Sequence, residues 1–299
     1  MSETIINQGT EQTESTTANP NILPEQPLVI IEPGRGFGGA WLREVWAYRE
    51  LLLFLAWRDI RVRYKQTALG VVWVVMQPLL MTLIFSVFLG ILARVPSDGL
   101  PYPVMVFAGL LPWTFFSNAV SQGGSSIVGN ANLITKVYFP RLIIPTAAVT
   151  ARLIDFAVAF IILFGLMAFY GVHPTRHMAM IPLLVLITAL LAIGCATFVA
   201  ALNVRYRDVG VILPVLMQLW MFASPVLYPS RLVSGAWPNA YRVYELNPIV
   251  GIVNGFRAAL AGQPFEWPAL AQTTAIAVII LIVSAYFFRR VERGFADVI

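Results

Sequence analysis

The chain has 299 residues, of which 58% are hydrophobic and only 12% charged, and its formal net charge is +5. A soluble domain usually carries about 25% charged residues, so the composition argues against a soluble globular enzyme. In so apolar a chain, positive charge reports membrane topology and attraction to anionic headgroups rather than nucleic-acid binding. We therefore expect a membrane protein without a nucleic-acid partner.

The N-terminal 35 residues are polar and rich in Thr, Glu, Asn and Pro, and no Lys or Arg precedes Arg35. This is the opposite of the basic and then apolar pattern of a signal peptide. We predict a disordered tail over residues 1–35. Trp, Leu and Arg are then interleaved over residues 36–65, a pattern typical of an amphipathic helix lying in the headgroup layer.

Six apolar runs without Lys, Arg, Asp or Glu follow. A helix of about 20 residues crosses a hydrocarbon core of about 30 Å. The sequence therefore predicts an all-α polytopic membrane protein with six transmembrane helices within residues 66–293. The six runs are residues 66–93, a span within 99–135, and residues 156–175, 177–204, 209–230 and 267–288.

Residues 244–262 are moderately apolar and could form a seventh span, but they contain Asn247, Pro248 and Arg257. If this segment crossed the membrane, the cluster Arg289, Arg290 and Arg293 would face outward. We therefore predict that residues 230–266 form an external elaboration, a re-entrant helical hairpin that acts as a gate or as a brace. Irregular backbone at membrane depth is tolerated only where protein or a water-filled cavity surrounds it.

Fifteen of the 20 Lys and Arg residues fall on one side of the six predicted spans. The positive-inside rule places this side, with both termini including residues 294–299, in the cytoplasm. Arg152 and Asp155 lie three residues apart on one face of the third span. Each charge costs about 2.5–3.5 kcal/mol at the membrane centre, which favours a pair. The pair either changes partners during a transport cycle or forms a static contact between helices.

No catalytic or metal-binding pattern emerges. Cys195 is the single cysteine, and Pro174 between His173 and His177 argues against a helical metal pair. The phosphate-binding motif Gly-x-x-x-x-Gly-Lys-Ser/Thr is absent from the sequence. We expect no catalytic residue, no metal and no cofactor in this chain.

Several separated motifs, in order along residues 41–293, resemble the polysaccharide branch of the ABC-2 type export permeases. The motifs are residues 57–70 with Trp73 and Gln77-Pro78-Leu79, followed by residues 107–113, 130–141, 202–209, 224–229 and 246–248. The resemblance implies a homodimer in the bacterial inner membrane that carries two cytoplasmic ATPase subunits. ATP and Mg²⁺ would bind to those subunits, and the substrate would be a lipid-linked polysaccharide such as O-antigen.

Two other functions stay open. An ABC-2 permease for small hydrophobic molecules would share the fold, although the polysaccharide-type motifs argue against it. A membrane-embedded glycosyltransferase would need acidic residues for a metal or a base, and Asp59 and Asp208 lie among arginines.

The resemblance also implies roles for particular residues. A helix in the loop 130–141 would couple the permease to the ATPase; an ordinary basic loop is the alternative. The coupling residues would be Asn132, Lys136, Tyr138, Phe139, Pro140 and Arg141. The basic residues Arg58, Arg61, Arg63 and Lys65 would bind the lipid diphosphate or anchor the chain at the interface.

Aromatic residues in the spans are candidates for the lining of a polysaccharide pathway. An aromatic face can pack against the apolar face of a sugar ring without binding its hydroxyls tightly, so a polymer can slide. Core packing is the alternative for each residue. The candidates are Trp73, Trp113, Phe115, Phe116, Trp220, Phe222 and Tyr228.

Overall fold

The computed structural model describes residues 40–65, 70–97, 99–137, 139–236, 238–292 and 294. The chain divides at Ala40 into a terminal unit and a main unit, and all but one of the described residues lie in the main unit. Within these ranges all regular structure is helical, which confirms the predicted all-α polytopic fold. The tail predicted over residues 1–35 lies outside the described residues.

The described helices follow one another with short connections. They are α1 (Ala40–Ala47), α2 (Arg49–Lys65), α3 (Gly70–Phe85), α4 (Tyr102–Gly129), α5 (Ala131–Lys136), α6 (Ile143–Phe169), α7 (Ile181–Arg205), α8 (Val209–Phe222), α9 (Arg231–Ala236), α10 (Pro238–Glu245), α11 (Pro248–Ala261) and α12 (Trp267–Glu292). A π-helical segment, Ser86–Leu92, continues α3, and a 3₁₀ turn, Arg176–Met180, precedes α7.

Five of the six predicted spans correspond to helices of the described chain that are long and apolar enough to cross a membrane. They are Val75–Leu92, Tyr102–Gly129, Ile143–Phe169, Arg176–Arg205 and Trp267–Glu292. The protein is therefore a multi-pass membrane protein.

The predicted fifth span, residues 209–230, is helical only as far as Phe222. With 14 residues, α8 is shorter than the roughly 20 that a bilayer crossing needs. Pro225 explains the early end, because proline disfavours helical backbone in the residue before it and has no N–H to donate. Turns over residues 223–226 and a bend at residues 227–228 replace the predicted last part of this helix.

The central helix of the bundle is α4, which packs against α3, α6, α7 and α11. Most of its residues are buried. Gly123 and Gly124 lie so close to α7 that a Cβ at either position would overlap Ala196 or Val199. Small residues allow such close approach of helices in membranes. These two glycines therefore serve helix packing.

One end of the bundle gathers basic residues. There α2 packs against α6 and buries Leu55 and Ala56 against Ile127 and Phe288. Leu53, Phe54 and Trp57 stay exposed on the other side of α2. We call this end, formed by α2, α5, the turn 206–208 and the C-terminal turns of α12, the basic end.

The opposite end contains the predicted hairpin, formed by α9, α10 and α11 before α12. With 14 residues, α11 is too short to span a bilayer, yet 11 of its residues are buried. It packs against α4 and α12 and ends at Gly262, whose φ is +68°. We call this end the hairpin end, after the re-entrant hairpin that the sequence predicts for this segment.

Candidate functional site

Five polar residues meet at the basic end, where α2 contacts α4 and α6. Arg63 donates from Nη1 to Oδ2 of Asp155 and from Nη2 to Oε1 of Gln122, both at 2.5 Å. Arg152 donates to the same two acceptor atoms, to Gln122 at 2.5 Å and to Asp155 at 2.9 Å. The Tyr64 hydroxyl donates to Oδ1 of Asp155 at 2.5 Å. We call these five residues the polar cluster.

The electrostatics of the polar cluster favour its intact form. Asp155 accepts from two guanidinium groups and a phenol, and its side chain is only 13% exposed. Removing one partner of such a pair leaves a poorly solvated charge behind. Burial, and next the hydrogen bond to Asp155, raise the pKa of Tyr64 to about 12. Tyr64 therefore stays protonated at neutral pH.

The sequence suggested a pair of Arg152 and Asp155, and the structure places these residues in an ion pair at 2.9 Å. Arg63, which was expected to face lipid headgroups, shares the same carboxylate. Sequence reasoning did not assign Tyr64 or Gln122 to this site; the polar residues around Gln122, between Ser117 and Ser126 in the second predicted span, are the signal that could have found Gln122.

A second contact of α2 reaches the start of α5. Arg58 donates from Nη2 to Oδ1 of Asn130 at 2.8 Å and also binds Asp59 on its own helix. Asn130 donates in turn to the carbonyl oxygen of Ser126 at 2.8 Å, at the end of α4. The junction of α4 and α5 is therefore hydrogen-bonded to α2.

The predicted coupling residues divide into exposed and inward-facing positions. Asn132 and Lys136 on α5 are exposed, whereas Phe139 is buried among apolar side chains of the basic end. Arg141 donates from Nη1 to the carbonyl oxygen of Glu292 at 2.7 Å, which joins this loop to the end of α12. Pro140 is half-buried, and Tyr138 lies outside the described residues.

The four predicted basic residues of α2 also divide into exposed and half-buried positions. Arg58 and Arg63 are half-buried and bind other parts of the chain, as described above. Arg61 and Lys65 are exposed, and the Arg61 guanidinium lies 5.9 Å from the ring centroid of Trp57. Only these two of the four residues therefore extend from the surface of the single chain.

The predicted pathway aromatics form a buried group and an exposed group. Trp113, Phe115 and Phe116 are at most 4% exposed. Trp220 packs edge-on against Phe116, with ring centroids 5.2 Å apart. Phe222 is 51% exposed. Tyr228 is half-buried, and the side chain of Trp73 lies outside the described residues. In this conformation, the three buried rings belong to the core.

Asn247 joins the end of α8 to the start of α11. Its Oδ1 accepts from Nε1 of Trp220 at 3.0 Å and from the backbone N of Ile249 at 3.1 Å, and its Nδ2 donates to Oγ of Ser224 at 2.8 Å. The second of these contacts caps the N-terminus of α11. The sequence motifs around Ser224 and Asn247 are thus in direct contact.

Arg257, which lies in the segment predicted to form the re-entrant hairpin, is buried in α11 with 7% exposure. It donates to the carbonyl oxygens of Val226 at 2.8 Å and Tyr228 at 2.9 Å. Main-chain carbonyls of the non-helical turn after α8 need such donors at membrane depth. Arg257 therefore stabilises the turn that shortens α8. An arginine within an otherwise apolar segment was the sequence signal for it.

A family model described as "ABC-2 type transporter" matches residues 50–261. The chain is 32% identical over 260 residues to an O-antigen export system permease protein RfbA of Myxococcus xanthus, covering 86% of this chain and 98% of the relative. It is 24% identical over 252 residues to a protein of the same name from Klebsiella pneumoniae, covering 84% and 95%. It is also 24% identical over 247 residues to the polysialic acid transport protein KpsM of Escherichia coli, covering 81% and 93%.

Proposed function

The chain belongs to the ABC-2 type transporter family, and from this premise we propose that it exports a lipid-linked, O-antigen-like polysaccharide across the bacterial inner membrane. It does so as the permease subunit of an ATP-driven exporter. The observation that carries the proposal is the 32% identity to an O-antigen export permease over 98% of that relative's length. A shared domain alone would not favour polysaccharide over small hydrophobic molecules, whereas a match along the whole relative does.

The charge distribution supports an orientation with the basic end and both termini in the cytoplasm. Arg63, Lys136, Arg205 and Arg289 lie in the last turns of their helices at the basic end. Basic residues flanking transmembrane helices are retained on the cytoplasmic side of the membrane. The hairpin end then faces the opposite side, where an exported polymer emerges.

We place the contact with the partner ATPase at α5. Two copies of that subunit would bind ATP and Mg²⁺ and serve a homodimer of this chain. Asn132 and Lys136 are exposed on α5 and are available to a protein partner. The buried Phe139 and the bond of Arg141 to the end of α12 hold the loop after α5 against the bundle.

A movement of α5 has two routes into the membrane helices. The Arg58 bond to Asn130 connects α5 to α2, and the polar cluster connects α2 to α4 and α6. The Arg141 bond to Glu292 connects the same loop to α12. Nucleotide-driven closure of the ATPase pair would therefore reach three of the membrane-spanning helices through bonds of the described chain.

The polysaccharide would pass between the two copies. Phe222 is exposed at the end of α8 and can pack against a sugar ring in this conformation. The buried rings of Trp113, Phe115 and Phe116 would become part of the lining only after the helices separate. Trp73, Trp220 and Tyr228 complete the proposed set.

Arg61 and Lys65 are the residues of α2 that we propose for the lipid diphosphate. Both are exposed near the membrane interface of the basic end, where a carrier lipid presents its headgroup. Guanidinium and ammonium groups form charge-assisted hydrogen bonds with phosphate oxygens. Arg58 and Arg63 serve this site by holding α2 in place.

The decisive experiment deletes this chain and leaves the neighbouring ATPase intact. Surface polysaccharide and intracellular lipid-linked polymer are both measured, and a plasmid copy of the chain serves as the control. We expect the polysaccharide to be lost from the cell surface and the lipid-linked polymer to accumulate inside the cell. Loss in both places would show a role in synthesis and refute export, and unchanged polysaccharide would favour a small-molecule exporter.

A further inference from the structure

A polar cavity of about 310 Å³ lies at the hairpin end. Its walls come from α9, α10 and α11, from the loop that follows α11 and from the loop before α4. None of the residues proposed above for coupling, for the lipid diphosphate or for the pathway lines it. The cavity is therefore separate from those sites.

The side chains that line the cavity combine hydrogen-bond donors with acceptors. Hydroxyl, amide and carboxylate groups come from Ser234, Tyr241, Asn254, Gln263 and Glu266, and guanidinium groups come from Arg231 and Arg257. A sugar hydroxyl both donates and accepts, so a mixed set of this kind suits it, whereas a lipid tail would need an apolar lining. Leu100 and Leu270 add apolar surface for the C–H face of a sugar ring.

The wall formed by α11 is held in place by close packing. A Cβ at Gly251 would overlap Thr273 of α12, and one at Gly255 would lie 2.9 Å from Leu184 of α7. Asn254, between these glycines, donates from Nδ2 to Oγ of Ser230 at 3.1 Å. The side-chain amide of Asn254 is therefore held in the cavity wall by a closely packed helix. A binding group that is already ordered loses less conformational entropy when a ligand binds.

Tyr241 supplies a hydroxyl that stays protonated at neutral pH. Burial raises its pKa most; the hydrogen bond to Ser230 lowers it in part, and the carboxylates of Glu245 and Glu266 raise it by smaller amounts. Its ring stacks on Tyr244, with centroids 6.0 Å apart, which restrains its position. The phenol of Tyr241, the amide of Asn254 and the carboxylate of Glu266 can therefore form hydrogen bonds with the hydroxyl groups of a sugar residue.

We propose that this cavity binds one sugar residue of the exported polysaccharide at the hairpin end of the permease. Its volume lies at the lower end of the roughly 300–1,000 Å³ of small-molecule sites, which suits a single residue. The proposal rests on the proposed function, because it needs a polysaccharide that emerges at this end. A weak site here holds the polymer between transport steps and opposes its return.

The test uses the permease with its partner ATPase in lipid nanodiscs. The probe is a set of short oligosaccharides released by mild acid from the host's own surface polysaccharide, and saturation-transfer NMR reports binding. The wild type should bind the probe. Tyr241→Phe removes one hydroxyl and should weaken binding about fivefold, the effect of one hydrogen bond. Ala258→Trp, which fills the cavity, and Asn254→Leu should abolish it.

Tyr170→Phe is the matched control, because Tyr170 is an exposed tyrosine after α6 that does not line the cavity. Its binding should equal that of the wild type. Gel filtration and ATPase activity verify that each variant is folded, and Tyr241→Phe keeps the test usable if the other two variants misfold. Absence of wild-type binding, or unchanged binding in the folded cavity variants, would overturn the proposal.

Three further outcomes separate this inference from the proposed function. If Phe222→Ala abolishes probe binding while the cavity variants keep it, the sugar binds in the pathway and the cavity assignment is wrong. If the deletion strain still displays its polysaccharide, the proposed function itself fails. Export that depends on the chain, together with unaffected binding in cavity variants, refutes the cavity assignment alone.

Discussion

Nη1 of Arg63 lies 2.5 Å from Oδ2 of Asp155, although 92 residues separate them in the chain. Arg63 belongs to the helix that precedes the first span, and Asp155 to α6, one residue before the predicted third span. This carboxylate therefore joins α2 to α6, beside the bonds of Arg63 to Gln122 and of Arg58 to Asn130.

Asp155→Asn should destabilise the protein, because it leaves Arg63 and Arg152 together without their shared carboxylate. Hydrogen bonds to charged groups are worth about 1.5–3 kcal/mol each, so a loss of about 2–3 kcal/mol is expected after partial rearrangement. Thermal unfolding of the purified chain in detergent measures it. Asp208→Asn is the control, since Asp208 is exposed in the turn before α8. Equal melting temperatures for both variants would contradict the prediction.

The structure also changes how the Arg152 and Asp155 pair can be tested. From the sequence, exchanging the charges of Arg152 and Asp155 would be expected to preserve their ion pair. In the structure, however, the exchange would place an arginine at position 155 against Arg63. A double-mutant cycle of Arg63→Ala and Asp155→Ala isolates their coupling instead. This contact could not be predicted, because it depends on how two helices distant in sequence are positioned in the bundle.

Tyr64→Phe should change the dependence of stability on alkaline pH. The folded protein holds the phenolic proton with a pKa of about 12. The unfolded chain releases it near pH 10. The folded state binds more protons in this window, so stability falls as the pH rises from about 10 to 12. Because Tyr64→Phe has no proton to release, it should show a shallower fall.

Urea unfolding of the wild type and Tyr64→Phe between pH 8 and about pH 11, where the difference builds up, provides the measurement. Burial also raises the pKa of Tyr241 in the hairpin. Tyr241→Phe is therefore the comparison variant, and the double variant should be additive because the two tyrosines lie at opposite ends of the bundle. Parallel pH profiles for the wild type and Tyr64→Phe would refute the assigned effect.

Asn132→Ala with Lys136→Ala should lower export and the stimulation of the partner ATPase, because both side chains are exposed on α5. Neither replacement removes a buried contact, so the melting temperature should change little. Arg141→Ala should lower stability as well, by about 1–2 kcal/mol, since its guanidinium binds Glu292. Full export and full ATPase stimulation in the double variant would remove α5 from the coupling mechanism.

Arg61→Gln with Lys65→Gln should lower export of the polysaccharide without destabilising the chain. Both side chains are exposed, and each loses a charge that attracts a diphosphate. Arg43→Gln with Arg49→Gln is the matched control, because it removes two exposed charges from the preceding part of the same region. If the two pairs reduce export equally, a general attraction to anionic lipid explains the effect, and the specific site is wrong.

Much of the fold could be predicted from the sequence, because helices that cross lipid must be long, apolar and internally hydrogen-bonded. The end of α8 at Phe222 could not be, since the apolar run continues to residue 230. Sequence reasoning is limited in the same way for the functional residues, because their contacts depend on the folded chain. Exposure of Lys136 follows from its charge, whereas burial of Arg257 depends on carbonyl groups that only the folded turn brings together.

Arg257→Lys should test whether the guanidinium itself supports that turn. Arginine donates through a planar fork to the carbonyls of Val226 and Tyr228, whereas an ammonium group is a compact donor that cannot match both positions equally well. Loss of one such bond should lower the free energy of unfolding by about 1.5–3 kcal/mol. Arg242→Lys, on the exposed surface of α10, provides the control. A lysine variant as stable as this control would show that charge alone suffices, and the turn after α8 would then have to be stabilised by the Asn247 contacts instead.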